Sequence, residues 1–403
     1  MTAGEGSVAS RLRGDGRGWI LLTVAVGWLV LTGGQFLVPA VLPQVKQSFG
    51  IGNTGGGLAI TVLWATYGLT QTPAGLLSDR FGERRLLAGS LFLSAGSVVA
   101  LGAAPAYLAF LAGCAAFGLA GGLYAPARGM LLSRTFPAAD GTAIGLTLAA
   151  GSLGSAILPF LAGTLVETTG WRPLVAGLLV PLVVVGALAG WTVPQREHTA
   201  DPDVPPLGEL AADVLRAVRI GRVTVMITAL TLTVFVFQGL SAFLVTYLVD
   251  VERFDQRVAA GLFALVFVSG AACQVGGGVA ADRIGERAVA VTAAGIGVLT
   301  VGAVPFVDGL VPFVAISVLL GTQFALWPVS NAYIIDALPE SVRGTAWGSL
   351  RTAFFLVAAT GPTVVGALAD RGLFDETFLL LAGVTAVAAV VFAFVPSRTG
   401  TTH

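Results

Sequence analysis

The stretch GLLSDRFGERR occupies residues 75–85, and GVAADRIGER occupies residues 278–287. Only 11% of the 403 residues are charged, so two dense acid–base clusters of one pattern demand an explanation. Asp79 and Asp282 lie 203 positions apart, and the same offset relates Arg80 to Arg283, Gly82 to Gly285, Glu83 to Glu286 and Arg84 to Arg287. Around the clusters the chain is apolar: 55% of its residues are hydrophobic and the mean hydropathy is +0.87. Soluble domains carry about a quarter charged residues, so this composition excludes that class. Residues 86–104, 141–166 and 173–195 contain no charge at all. Uncharged apolar runs of about 18 residues or more read as membrane-spanning helices.

Breaks between runs fall where charges, Pro and Gly cluster. They divide the chain into twelve predicted spans: 19–40, 56–77, 86–104, 106–133, 142–166, 173–193, 222–247, 258–280, 288–306, 310–336, 345–368 and 377–396. The first apolar run, behind Arg11, Arg13 and Arg17, is too long for a signal peptide and reads as an uncleaved span. Lys and Arg set orientation. Fifteen arginines lie before span 1, after the even-numbered spans or after span 12, against five cations on the other side. Both termini are therefore expected in the cytoplasm, with the protein in the cytoplasmic membrane. Zero net charge argues against a nucleic-acid partner. Cys114 and Cys273 fall inside spans as small packed residues, and His198 and His403 offer no metal-site spacing. No cofactor is expected. No nucleophile–base pair suggests an enzyme.

The 203-residue offset reaches far beyond the charged clusters. It pairs Gln35 with Gln238, Gln71 with Gln274, Tyr124 with Trp327, Arg128 with Asn331, Pro159 with Pro362 and Gly163 with Gly366. The chain is thus expected to hold an N-terminal six-helix half (1–193), a linker (194–221) and a C-terminal six-helix half (222–403). The linker begins Pro-rich and polar, then continues LGELAADVLRAVRIGR with apolar residues at helical spacing. An amphipathic helix on the membrane face, or a tether, would account for it. Six spans per half leave both halves in one orientation, as parallel repeats about an axis along the membrane normal.

The two clusters resemble the loop signature of the major facilitator superfamily, G-x-x-x-D-R-x-G-R-[KR], and sit between spans 2 and 3 and between spans 8 and 9. The resemblance covers the whole chain. It implies an all-α integral membrane fold of twelve transmembrane helices in two six-helix pseudo-repeats, working by alternating access. It also implies that Gly75, Asp79, Arg80, Gly82, Arg84, Asp282, Arg283, Gly285 and Arg287 form gating latches rather than a binding site. An aspartate can accept from the amides at a helix N-terminus. Asp79 is expected to dock at the start of span 11, near Gly344, Thr345 and Ala346, and Asp282 at the start of span 5, near Gly141 and Thr142. Glu83 departs from the pattern, and an extra acid there implies a different salt-bridge network. Span 5 is similar to the family's antiporter signature at Gly145, Gly154, Pro159 and Gly163, but Leu158 and Ala162 replace two glycines, which weakens a drug-export reading. The span 4 stretch GGLYAPARGMLLSRTFP instead looks like that of the anion-carrying branches.

Each intramembrane arginine needs a reason, because insertion costs roughly 2.5–3.5 kcal/mol. Arg128 and Arg351 either hold an anionic substrate group or brace the latch. Helices 1, 4, 7 and 10 line the family's cavity, so the resemblance adds Gln35, Tyr124, Gln238, Trp327 and Asn331 as substrate-binding candidates. No carboxylate lies deep in any span. A coupling proton would need Asp336, Glu167, Asp370 or Asp308, or the substrate's own carboxylate, and uniport is equally open. The expected function is secondary transport of a small organic solute, an organic anion being favoured. The alternative is efflux of drugs or hydrophobic compounds. The expected partners are the lipid bilayer, the small-molecule substrate and a proton as candidate coupling ion, with the protein acting as a monomer.

Overall fold

A computed structural model describes residues 16–137, 139–195, 208, 219–338 and 343–396, and describes Leu76, Asp79 and residues 343–345 by backbone alone. The proposed amphipathic helix of the linker lies outside the described residues. Among the described residues the regular structure is entirely helical, and eleven helices are long and apolar enough to cross a membrane. Span 2 completes the twelve as two shorter helices in line, Asn53–Leu69 and Gln71–Phe81.

In order, spans 1 and 3–5 are Arg17–Ala40, Glu83–Ala103, Tyr107–Thr135 and Asp140–Thr169. Span 6 joins Trp171–Gly177 to Leu179–Thr192. Spans 7–9 are Gly221–Asp250, Gln256–Ile284 and Glu286–Ala303, span 10 covers Leu310–Leu320 and Leu326–Ala337, span 11 covers Arg343–Ala358 and Gly361–Ala369, and span 12 is Phe374–Ala393. Several helices outrun their apolar windows by a few residues, because a helix can continue into the polar interface where hydropathy has already fallen.

The breaks within spans have one cause. Each precedes a proline by a few residues: Thr70 before Pro73, Leu178 before Pro181, Gly321–Ala325 before Pro328, and Thr360 before Pro362. Proline has no N–H to give the carbonyl four residues back, and its ring crowds that carbonyl, so the ladder opens there. In span 2 the Thr70 hydroxyl also donates to the Thr66 and Tyr67 carbonyls, which bends the helix further.

The repeated loops take one shape. Gly82 (φ 83°, ψ 151°) and Gly285 (φ 86°, ψ 150°) occupy a backbone region that side chains exclude, so the signature needs glycine at both. The extra acid of the first loop has a partner: Glu83 is buried and ion-pairs with Arg134 from the end of span 4. Spans 1, 4, 5 and 2, with their counterparts 7, 10, 11 and 8, surround the axis between the repeats and position the site. Cys114 and Cys273 are unbridged.

Candidate functional site

The two halves meet along two equivalent seams: span 2 against span 11, and span 8 against span 5. At the end of the bundle away from the termini both are tight. A side chain added at Gly57 would strike the Pro362 carbonyl, one at Gly366 would strike the Asn53 carbonyl, and one at Gly163 would strike Ala260. Small residues let backbones approach this closely. Polar contacts reinforce the same end. Asp370, at the end of span 11, accepts from the amides of Asn53 (2.6 Å) and Thr54 (2.8 Å) and from the Thr54 hydroxyl (2.6 Å), capping span 2 across the halves. Lys46 donates to Asn53 Oδ1 (2.6 Å) and Asp250 Oδ2 (3.1 Å), and Gln256 Nε2 donates to the Ala40 carbonyl (2.7 Å). Burial alone would raise the Asp370 pKa, but the hydrogen bonds from Thr54 and Asn53 outweigh it and hold the carboxyl below its ordinary value.

Beneath this lock, aromatic rings close the centre. Phe36 of span 1 meets Phe267 at 4.7 Å between ring centroids, with Phe263 at 6.4 Å, Phe237 at 6.2 Å and Trp64 at 5.5 Å. Phe324 of span 10 joins Phe237 at 5.2 Å. Toward the termini the seams differ. Span 2 stays joined to span 11 through Thr72 and Thr352 hydroxyls 2.8 Å apart and through Thr352 to the Gly68 carbonyl at 3.0 Å. Spans 5 and 8 separate: Gly141, Gly145, Gly276 and Gly278 face open space, and Val275 is 68% exposed.

Under the aromatic layer stand the two intramembrane arginines. Arg128 is buried in the N-terminal half, its guanidinium 4.5 Å from the Trp28 ring centroid and one nitrogen hydrogen-bonded to the Thr147 hydroxyl. Arg351, from the C-terminal half, lies 5.9 Å from Trp347 and 6.0 Å from Phe355. Tyr67 of span 2 sits beside span 4, its ring 3.6 Å from where a Cβ on Gly121 would stand. Among the described residues neither arginine has a carboxylate partner, and the Nε of each is buried without a hydrogen bond. Tyr67 also packs edge-on against Phe355 at 5.3 Å.

The other expected site residues divide. Gln35 Nε2, Gln238 Oε1 and Asn331 Oδ1 are buried without a partner, which suits groups awaiting a ligand. Trp327 lies against Phe354 and Phe355. Tyr124 stands a layer back: it is fully buried, gives its hydroxyl to the Val24 carbonyl at 2.9 Å and stacks on Trp28. It supports the ring that supports Arg128. Sequence reasoning missed Trp28, Tyr67 and Trp347. Tyr67 lies one turn from Gln71, a polar intramembrane residue that was a usable signal.

The latch expectations fare unevenly. The Asp79 side chain and the start of span 11 lie outside the described side chains. Asp282 does not dock on span 5 in this conformation: it is exposed, and the Gly141 amide is taken by the carboxylate of Asp140 at 2.6 Å. The separation of spans 5 and 8 takes the donor amides at the start of span 5 out of the reach of Asp282. The capping of one half's helix by the other half's aspartate is instead found at the opposite end, with Asp370. Of the carboxylates there, Glu252 is held above its ordinary pKa, by burial first and then by Asp308 and Asp375, against the lowering hydrogen bond from Tyr247.

Comparison with known proteins agrees with this architecture. A family model described as Major Facilitator Superfamily matches residues 23–326 and 258–403. The chain is 24% identical to a probable sulfoacetate transporter, SauU, of Cupriavidus necator, covering 89% of each chain. It is 23% identical to the cis,cis-muconate transport protein of Acinetobacter baylyi, covering 87% of each, and 24% identical to the multidrug resistance protein MdtG of Enterobacter lignolyticus, covering 94% of this chain and 93% of that one. Among solved structures, a bacterial homologue of the human lysosomal transporter Spinster, inward-facing and unoccupied, superposes with TM-score 0.79 at 14% identity, covering 95% of this chain and 97% of that one. The nucleoside transporter NupG, solved as a point mutant, superposes with TM-score 0.77, also at 14% identity, covering 93% of this chain and 98% of that one.

Proposed function

The chain belongs to the Major Facilitator Superfamily, a family of membrane transporters rather than enzymes, and from that premise we propose that it carries a small organic anion by alternating access, with Arg128 and Arg351 as its anion-binding groups. One observation carries the reading. Two arginines, one from each half, lie within membrane spans with unpartnered buried Nε groups and, among the described residues, no carboxylate to neutralise them. Desolvated guanidinium is costly unless paired, and it binds carboxylates and sulfonates through parallel N–H donors. Two of the relatives are described as carriers of such anions, sulfoacetate and muconate, which supports the same choice.

The excess of arginine at the end bearing the termini makes that end cytoplasmic. The cleft in this conformation is then inward-open, with Asp370, Lys46 and Gln256 locking the outer end. Gln35, Gln238 and Asn331 complete the substrate's polar contacts, Trp327 adds an apolar wall, and the chain works as a monomer. Asp370 is a poor proton carrier near neutral pH, since its hydrogen bonds keep it ionised. A coupling proton then travels with the substrate or uses Glu252, Glu167, Asp308 or Asp336.

The test is uptake of radiolabelled sulfoacetate and cis,cis-muconate into liposomes holding the purified protein. Arg128→Gln and Arg351→Gln should each abolish uptake. If both variants transport at the wild-type rate and affinity, the anion assignment fails. If instead expression of the wild type in a pump-deficient host raises tolerance to cationic drugs and no anion moves, the efflux reading replaces it.

A further inference from the structure

We infer that the outer end of the bundle carries a second anion site, a carboxylate cradle at the start of span 2. The closed gate fills it with the side chain of Asp370, and the open gate offers it to a carboxylate-bearing solute from outside. This rests on the anion reading above and adds a site to it. The pseudo-repeat reveals the cradle by contrast. Span 8 opens on Asp255, whose own carboxylate accepts from the Arg257 amide at 2.8 Å and caps the helix. The equivalent position of span 2, 203 residues earlier, is Gly52. Span 2 has no acid in its first turn and, among the described residues, no side-chain cap from its own half. Its carboxylate comes from the other half: Asp370 accepts from the Asn53 amide, the Thr54 amide and the Thr54 hydroxyl. A Cβ on Gly52 would stand 2.7 and 2.9 Å from the two Asp370 oxygens, so glycine keeps a carboxylate-sized space over these donors.

A cation completes the cradle. Lys46 donates to Asn53 Oδ1 at 2.6 Å and pairs with Asp250 at 3.1 Å, its side chain only 14% exposed. The repeat has Val249 in its place, so span 8 lacks both the space and the cation. Lys46, Asn53 and Thr54 all belong to the N-terminal half, and Asp250 and Asp370 to the C-terminal half. Opening the outer end therefore carries both carboxylates away together and leaves the donors in place, with Asn53 still holding Lys46. Helix N-terminal amides beside an ammonium favour an anion, and donors already fixed on one half bind it with little ordering cost. An arriving carboxylate and Asp370 compete for the same donors, so a solute in the cradle keeps the gate from closing until it moves inward to the arginines.

The test uses cells expressing the full chain with Cys114→Ala, Cys273→Ala and Ala40→Cys. Reaction of the new thiol with an impermeant maleimide is followed against external cis,cis-muconate or sulfoacetate, with sodium chloride at equal ionic strength as the control. Either anion, but not chloride, should raise the reactivity by holding the gate open. The effect should persist with Arg128→Gln and Arg351→Gln, because the cradle is separate from the arginines; an effect that vanishes there arises at the central site and overturns the inference. Asp370→Asn weakens the competitor and should lower the half-effective anion concentration about fivefold, while Lys46→Gln should raise it about fivefold, the upper range for a partly exposed pair. Thr54→Val should shift it in the same direction as Lys46→Gln. Opposite signs are the signature. If Lys46 and Asp370 only lock the gate, both variants ease opening and both lower that concentration, which overturns the inference. So does the lack of any anion effect in both the parent and Asp370→Asn. Uptake of the same anions separates the two readings: anions that still enter, and stop entering in the arginine variants, leave the anion reading in place while the cradle falls. Should Lys46→Gln fail to fold, Thr54→Val against Asp370→Asn decides.

Discussion

The seam between spans 2 and 11 and the seam between spans 8 and 5 descend from one repeated design, yet only the first stays joined as far toward the termini as Thr72 and Thr352. The residues explain why. Thr61 and Thr363 share a hydrogen bond at 2.8 Å, as do Thr72 and Thr352, and Asp370 caps span 2. At the offset of 203 the corresponding residues are Ala264 and Phe160, Val275 and Ala149, and Glu167, which is exposed. Both of these cross-seam hydroxyl pairs of the first seam are apolar in the second. In hydrocarbon a hydroxyl that leaves its partner finds no water, so the first seam resists parting. The second is held mainly by close contact at its outer end, as at Gly163 and Ala260, and parts toward the termini. On this account the 2–11 seam is expected to act as the pivot of rocking and the 5–8 seam as the door.

The largest expected effect is all-or-none. In a background lacking Cys114 and Cys273, the pair Thr72→Cys and Thr352→Cys should cross-link in the resting protein, while Ala149→Cys and Val275→Cys should not until substrate closes the cleft. Equal resting yields would break the comparison. Next in size, Gly57→Val must push the Pro362 backbone away, whereas Gly145→Ala enters open space. Overpacking of this kind costs about 1–3 kcal/mol. A cysteine at Ala40 should become reactive to impermeant thiol reagents from outside in the first variant and stay protected in the second. A smaller effect is expected of Asp370→Asn, which weakens a partly exposed cap by about 0.5–1 kcal/mol and should raise the same reactivity modestly. The sign of its pH dependence follows from the lowered pKa of Asp370. The cap is complete above the ordinary aspartate value and lost only as pH falls through the still lower native one. Outside pH between about 5 and 8 should therefore leave the outer lock unchanged through this group. The smallest change is Thr72→Val alone, worth about 0.6 kcal/mol for one intramembrane hydrogen bond and read as faster loss of the resting cross-seam contact, Thr352 keeping its bond to the Gly68 carbonyl.

The two seams also show how much of the molecule is legible in its sequence. Membrane spans are legible because hydrocarbon admits few charges, and the repeat because Asp79, Gly82 and Arg84 return as Asp282, Gly285 and Arg287. Arg128 and Arg351 stand out for the same reason. The rings that frame them do not: Trp28, Tyr67 and Trp347 in an apolar helix look like any core residue, and only the packing of spans 1, 2 and 11 turns them toward the arginines. Asp370 is legible as a helix-end acid but not as a cap, since its acceptor role depends on span 2 of the other half lying within hydrogen-bonding reach. The latch is expected where the signature places acids, at the terminal end. The present conformation leaves Asp282 there undocked and locks the other end.

Central to this account is that Arg128 and Arg351 hold the substrate rather than brace the cytoplasmic latch. Equilibrium binding of a transported anion to the purified protein decides it, because a latch residue can abolish transport without touching affinity. Arg128→Gln and Arg351→Gln should each weaken binding by about 2–5 kcal/mol, the cost of removing one partner of a buried charge pair. Wild-type affinity in both variants, alongside lost transport, would contradict the account and assign the arginines to the latch.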